Sequence, residues 1–521
     1  MKVWSTLSRE DHTLKVEHCS LKIEYQKFPF KFVRSNLKKM STLTAGLIIL
    51  SYFLVLIFIS IITSKGSNND TFFLGNRKAP WYIISIGMIG SSLSGVTFIS
   101  VPGWVEASHF TYLQMVMGFV LGYVVIANIL LPLYYRLNVT SIYSYLNGRF
   151  GIFSYKSGSM LFIISKLVGA AARMYLMASV LQLIIADPLN IPFPITVFVS
   201  IGLIWFYTFK GGIKTIIWTD TLQTVMMFSA LLITIFYIAK DLNLGAIGIF
   251  NTIKNSDYSN IFIWSDWKAS NHFLKQFFAG MFTTIVMTGL DQDMMQKNLA
   301  CKNLKDAKKN VYSYGIGFLP VNILFLSLGV LLIIFAQQNG IEIPARGDDL
   351  YPTLALGGHL PYAVGVLFLL GLTSAAYSSA DSALASLTTA FSIDILQIEK
   401  LSSVKAKKYR IISHIAFSII FALLIISFRL FNSSSIIDTI YTLAGYTYGP
   451  LLGLFAFGLF TKYQIKDKLV LLAVIIPPVV TGILDFNSQN WFEISFGYEK
   501  LIINGFITFL ILLSIKKSNQ D

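Results

Sequence analysis

The chain has 521 residues, 55% of them hydrophobic and 13% charged, where soluble domains carry about 25% charged residues. That composition excludes a water-soluble enzyme as the body of the molecule, and no Gly-rich phosphate loop, G-x-S-x-G or Cys–His nucleophile pattern argues otherwise. The formal net charge of +15 does not mark a nucleic-acid binder, because the basic residues are spread through loops between apolar runs.

Residues 1–39 carry nine basic side chains (Lys2, Arg9, Lys15, Lys22, Lys27, Lys31, Arg34, Lys38, Lys39) and Cys19. They contain no apolar h-region and so do not read as a signal peptide. Met40 stands directly before the first apolar run, so the expectation is that translation starts there and that 1–39 is an upstream extension. Cys301, the other cysteine, is expected in a cytoplasmic loop, which leaves no structural disulfide. The six scattered histidines show no metal-ligand spacing.

Thirteen apolar runs follow, each of a length that suits crossing about 30 Å of hydrocarbon. They lie near 44–63, 81–101, 112–135, 157–186, 191–208, 215–239, 273–292, 312–336, 361–391, 411–428, 434–460, 468–484 and 501–515. This predicts an all-α protein of the lipid bilayer. Loops after odd-numbered spans hold Lys65, Arg77, Lys78, Arg136, Arg149, Lys156, Lys210, Lys214, Lys297, Lys302, Lys305, Lys308 and Lys309. Further along, the same side holds Lys400, Lys405, Lys407, Lys408, Arg410, Lys462, Lys466 and Lys468, and Lys516 and Lys517 end the chain. The opposite loops hold only Lys240, Lys254, Lys268, Lys275, Arg346, Arg429 and Lys500. By the positive-inside rule the first set is cytoplasmic, so span one starts outside and the C-terminus lies inside. Residues 1–39 disagree with that orientation.

Four spans carry polar groups that apolar packing does not need. Span two contains Gly90-Ser-Ser-Leu-Ser-Gly95 followed by Thr97, and span seven contains Met287-Thr-Gly-Leu-Asp-Gln292. Transporters built from inverted repeats break their helices at matching places in each half. These breaks fall in the first span of each of two five-span blocks. The chain therefore divides into the extension 1–39, a first helix and loop 40–80, a first five-helix repeat 81–240 and an external loop 241–272. A second five-helix repeat 273–460 and two C-terminal helices with a tail, 461–521, complete it. In span nine, Ala375, Ser378, Ser379 and Ser382 recur at i, i+3, i+4 and i+7 and share one face, with Asp381 at its border. A carboxylate and hydroxyls in hydrocarbon are costly unless they line a pathway, and oxygen ligands without His or Cys suit a hard cation such as Na⁺. Span four adds Lys166 and Arg173, seven residues apart and nearly on one face.

Four segments resemble motifs of the sodium:solute symporter family. Gly211-Gly-Ile-Lys-Thr-Ile-Ile-Trp-Thr-Asp-Thr-Leu-Gln223 is similar to its G-G-x-x-x-x-x-W-T-D-x-x-Q segment, and Asp291-Gln-Asp-Met-Met-Gln-Lys297 to its D-Q-x-x-x-Q-R segment. Ser374-Ala-Ala-Tyr-Ser-Ser-Ala-Asp-Ser382 resembles its ninth-helix serine motif, and Gly445-Tyr-Thr-Tyr-Gly-Pro450 its eleventh-helix G-P turn. The resemblance runs from about residue 44 to 465. The family includes sodium/proline, sodium/glucose and sodium/sialic acid symporters, and it implies a LeuT-type five-plus-five inverted repeat and Na⁺ as coupling ion. It implies a main sodium site at Gly90, Leu93, Ala375, Ser378 and Ser379, and a second at Asp220, Asp381 and Ser382. Asp381 stands where the sialic acid symporter has Ser, so that a strengthened sodium site and a proton-carrying carboxylate both remain open.

The substrate is less legible. A sugar site of the galactose-symporter kind is disfavoured, since Thr97 and Met287 stand at its Gln and Tyr positions and 312–336 lack its Lys. Ser94 and Thr97 match hydroxyls that hold the substrate carboxylate in the sialic acid symporter. With Arg173, Thr284, Met287 and Tyr441 they form the expected substrate site, which points to an acidic solute such as a sialic acid, sugar acid or carboxylate. The expected protein is a multi-pass transporter of the cell (inner or plasma) membrane, sufficient as a monomer. The alternatives are a proton-coupled permease of the same fold and a sodium-coupled carrier of a neutral sugar or amino acid. No channel filter is visible, and no cytoplasmic signalling domain.

Overall fold

The structure is a computed structural model and describes residues 41–429 and 436–517. The basic extension, with Cys19, lies outside them. All regular elements among the described residues are helical. Those that build the membrane body are α1 (Thr42–Thr63), α2 (Trp81–Ser108), α3 (Tyr112–Leu137), α4 (Ile152–Leu181), α5 (Phe193–Thr208) and α6 (Ile213–Asp241). They continue with α7 (Phe273–Gly289), α8 (Gln292–Leu299), α9 (Leu304–Gln338), α10 (Tyr362–Ala390) and α11 (Ser403–Phe428). The last are α12 (Ile436–Thr447), α13 (Gly449–Phe460), α14 (Val470–Phe492) and α15 (Lys500–Ser514).

Every expected span has its helix, but they are not alike. Among the described residues, nine helices are long and apolar enough to cross a membrane, and up to 11 spans result if the bent pairs α7–α8 and α12–α13 each count as one. The remaining two, α5 and α15, are shorter apolar helices. The lipid-facing ones show their apolar side chains outward: Leu43, Leu47, Leu54 and Phe58 of α1, and Ile475, Val479 and Phe486 of α14, are all exposed. In hydrocarbon such a face carries no penalty, and the backbone is satisfied within each helix.

The centre is the opposite case. Helix α2 packs on α6, α9 and α10, and α10 packs on α4 and α6. Small residues let these backbones approach. A Cβ at Gly90 would collide with the Thr224 side chain of α6, and one at Gly118 with the Phe277 carbonyl of α7.

Both expected breaks are present. Helix α2 is interrupted at Ser94, whose φ of 46° and ψ of 169° lie far from helical values. The last turn of α7 is a π-turn over Ile285–Gly289, and the chain then bends by 62° into α8. Asp291 caps α8 by accepting the backbone N–H groups of Asp293 and Met294.

Three basic residues are not where charge counting put them, and one is Arg410: counted as a cytoplasmic loop charge, it is buried on α11 over the Phe72 ring. Lys297, counted as a cytoplasmic loop charge, is only 1% exposed and lies on α8 inside the bundle. Lys500, counted as an outer loop charge, is buried at the start of α15 and donates to Asp485 at 3.1 Å. Position along the sequence assigned them to loops; carboxylates, Asp220 fully buried and Asp485 half-buried, draw Lys297 and Lys500 inward. Cys301, expected in a loop, is a free thiol among the described residues and is buried.

Candidate ion and solute sites

The serine face of α10 docks on the turn of α2 that precedes the break. A residue with Ser94's backbone angles ends the helical ladder and leaves carbonyls of the preceding turn for other donors. The Ser91 carbonyl takes the Ser379 hydroxyl at 3.1 Å, and that hydroxyl also lies 3.3 Å from the Ala375 carbonyl. Ser378 donates to Asp220 Oδ1 of α6 at 2.6 Å, and Ser91 donates to Asp220 Oδ2 at 2.8 Å. Gly90, Leu93, Ala375, Ser378 and Ser379 are all buried. The structure thus sets the face of Ala375, Ser378 and Ser379 on the turn of α2 that carries Gly90, Ser91 and Leu93. That donor set, carbonyls and hydroxyls without nitrogen or sulfur, fits a hard monovalent cation.

The second expected set lies beside it. Asp381 is fully buried and its Oδ2 accepts the Tyr207 hydroxyl at 2.8 Å. Its Oδ1 and the Ser382 Oγ are buried without a hydrogen-bond partner. Asp381 follows Ser378 by three residues on α10, and Ser378 donates to Asp220. Unpaired buried oxygens on consecutive residues, facing a second carboxylate, are what a cation would satisfy. Asp220, Asp381 and Ser382 therefore fit such an ion.

Sequence reading missed what surrounds Asp220. Lys297 Nζ lies 2.8 Å from Asp220 Oδ2, 2.5 Å from Ser91 Oγ and 3.9 Å from Asp293 Oδ1. Lys166 Nζ lies 2.7 Å from Asp293 Oδ2 and 3.3 Å from both Asp291 oxygens. Tyr448, in the G-P turn between α12 and α13, donates to Asp291 Oδ2 at 2.7 Å. Five buried charges therefore run in sequence: Asp220, Lys297, Asp293, Lys166, Asp291. Burying ions costs several kcal/mol each unless they are paired, and removing a single partner from such a pair costs about 3–5 kcal/mol. The spacing D-x-D-x-x-x-K of Asp291, Asp293 and Lys297 at the end of an apolar run, with Asp293 and Lys297 one turn apart, was visible in the sequence, but their pairing with Asp220 and Lys166 was not.

This ion-pair chain ends at a cavity. Its walls include Ser91 and Ser92 of α2, Lys166 and Arg173 of α4, Thr284 and Met287 of α7, Asp291, and Tyr441 and Tyr448. Arg173, Thr284, Met287 and Tyr441 are thus brought together as expected. Ser94 and Thr97 are not among the lining residues. Both are buried, and the break turns Ser91 and Ser92 toward the cavity instead. Tyr446 also turns away from it and donates to Asp485 at 2.6 Å. Tyr112 and Tyr441 meet hydroxyl to hydroxyl at 3.0 Å, and Ser92 contacts Tyr314 at 2.5 Å. Lys166 is neutralised by two aspartates. Arg173 has no ion-pair or hydrogen-bond partner among the described residues, so it is the cation the cavity leaves available.

The profile described as "Sodium:solute symporter family" matches residues 72–467. The sodium/sialic acid symporter SiaT of Proteus mirabilis is 25% identical, over 91% of this chain and 96% of its own length. The sodium/sialic acid symporter NanT of Aliivibrio fischeri is 26% identical, over 84% and 87%. The human sodium/iodide cotransporter is 26% identical, over 75% of this chain and 61% of its own length. Among solved structures, a substrate-bound, outward-open Na⁺-coupled sialic acid symporter superposes with a TM-score of 0.77 at 22% identity, covering 91% of this chain and 98% of that one. The nucleobase-cation-symport-1 family transporter MHP1 gives 0.54 at 12% identity, over 86% and 94%. These structural likenesses carry the fold.

Proposed function

The chain belongs to the sodium:solute symporter family, and from that premise we propose that its solute is a small carboxylate-bearing molecule, held by Arg173 and carried by alternating access. As a member of the family it is a multi-pass plasma-membrane transporter that couples uptake of an organic solute to Na⁺, and it is not an enzyme. The observation that carries the acidic-solute reading is Arg173, which lines the cavity near Asp293, Tyr441 and Tyr448 but makes no hydrogen bond or contact ion pair among the described residues. An intramembrane arginine needs an anion nearby. A solute carboxylate supplies one, in the bidentate geometry that guanidinium favours. The two relatives named above as sodium/sialic acid symporters support the same class, and a sialic acid is the first candidate.

In this reading the main sodium site comprises Gly90, Leu93, Ala375, Ser378 and Ser379, and the second Asp220, Asp381 and Ser382. Thr284, Met287 and Tyr441 shape the solute cavity, with Ser91 and Ser92 where Ser94 and Thr97 were expected. Thirteen spans, with α7–α8 and α12–α13 each counted as one, cross the membrane with the N-terminus outside and the C-terminus inside. The repeats 81–240 and 273–460 move against each other about the breaks at Ser94 and Asp291. Loop 241–272 lies outside, and 461–521 adds two peripheral helices. One chain holds the ion oxygens, the ion-pair chain and the cavity, so a monomer suffices.

A thermal-shift screen of the purified protein tests the reading, because a bound ligand stabilises the folded state by mass action. Matched acids and amides are compared in sodium and in choline. Stabilisation by the acid alone, and only with sodium, is expected. Equal stabilisation by the amide removes the acidic-solute reading. Stabilisation in choline that depends on pH instead favours the proton-coupled alternative at Asp381.

A further inference from the structure

We infer that Lys297 is a built-in cation that sodium displaces from Asp220, and that the buried ion-pair chain carries this displacement to the solute cavity. The inference rests on the assignment of Asp220 to the ion site. Its starting point is a coincidence of position. The Lys297 ammonium contacts Asp220 Oδ2 and Ser91 Oγ, and Asp220 is also the carboxylate that Ser378 of the α10 face donates to. A tethered +1 charge therefore sits on oxygens that a diffusible +1 charge would seek. An ammonium on a four-carbon stem is a compact, mobile point charge, so it can leave if a second acceptor is within reach.

That acceptor is present. Asp293 Oδ1 is 3.9 Å from Lys297 Nζ and is buried with no hydrogen-bond partner. Unsatisfied buried carboxylate oxygens are rare in folded proteins, and a landing place for Lys297 accounts for this one. Asp293 is already held by Lys166 through its other oxygen. A second ammonium arriving on Asp293 weakens the claim of Lys166 on it. Lys166 lines the cavity that Arg173 faces, so the shift raises positive potential where the solute anion sits. Sodium at one end then favours a carboxylate at the other, and the solute favours sodium by the same factor, since coupling of this kind is reciprocal. Charge counting agrees. Asp220, Asp291, Asp293 and Asp381 face Lys166, Lys297 and Arg173, so these seven groups lack one positive charge.

Sodium affinity is read from sodium-dependent thermal stabilisation of purified protein at constant ionic strength, with choline as the balancing cation. N-acetylneuraminate is the solute probe. Lys297→Gln is expected to raise apparent sodium affinity about tenfold, within the usual range of such couplings, and to make probe binding independent of sodium. Unchanged or weaker sodium affinity in the folded variant overturns the inference. Two further variants keep it testable if Lys297→Gln does not fold. Asp293→Asn removes the landing place while leaving Asp220, Ser91 and Ser378 intact, and should weaken sodium binding. Lys297→Arg should weaken it as well, because the guanidinium fork holds Asp220 more firmly. Unchanged sodium affinity in both overturns the inference. Failure of wild-type protein to bind the probe at any sodium concentration counts against the acidic-solute reading alone, since the sodium arm needs no solute.

Discussion

Ser378 ties the ion site together, because its hydroxyl donates to Asp220 at 2.6 Å and lies 3.0 Å from Ser91 Oγ. A hydrogen bond to a charged group contributes about 1.5–3 kcal/mol. Ser378→Ala is therefore expected to raise the sodium concentration for half-maximal uptake about tenfold or more, with normal membrane abundance. Wild-type sodium dependence in that variant would remove Ser378 from the site. The hydroxyls were legible because a polar face in an apolar helix is costly unless it lines a pathway, and Asp220 because its W-T-D segment resembles the family motif. Lys297 was not, for a physical reason. A lysine near the end of an apolar run looks the same in sequence whether it reaches water or a buried carboxylate, and only the fold brings Asp220 of α6 against it. Ser94 and Thr97, expected from the resemblance, do not line the cavity; the break at Ser94 redirects the side chains on either side of it.

The breaks themselves belong to the scale of the element. A Gly/Ser stretch inside an apolar run announced the one in α2, and the structure localises it to Ser94, a non-glycine residue at φ 46°. Backbone held there costs about 1–3 kcal/mol and persists only where the surroundings enforce it. Ser94→Gly should therefore keep sodium-dependent binding and raise thermal stability. Ser94→Val, with a β-branched side chain at a left-handed φ, should lose sodium-dependent stabilisation while still reaching the membrane. Equal behaviour of the two variants would show that the α2 break does not govern the ion site. The α7–α8 break was legible from Gly289 beside polar groups. Its 62° bend was not, since it depends on the Asp291 cap and on Tyr448 donating to that cap from a distant turn.

For the whole molecule, apolar runs and loop charges made the helical membrane architecture legible, and the two short helices and two bent pairs are what run length alone does not resolve. The transport account has an energetic consequence at this scale. One charge crossing 100 mV releases about 2.3 kcal/mol, and a tenfold sodium gradient about 1.4 kcal/mol more. A neutral solute carried with one sodium would accumulate roughly a few hundredfold. A monoanion carried with one sodium moves no net charge and would accumulate only about tenfold. The central claim is that sodium drives a carboxylate onto Arg173. The most direct test is uptake of N-acetylneuraminate into proteoliposomes under an inward sodium gradient, with its uncharged methyl ester as competitor and Arg173→Gln and Arg173→Lys in parallel. The account predicts sodium-dependent uptake that the ester does not inhibit, lost in Arg173→Gln and partly retained in Arg173→Lys, which keeps the charge but not the bidentate fork. Equal competition by the ester, or wild-type uptake by Arg173→Gln, would contradict it.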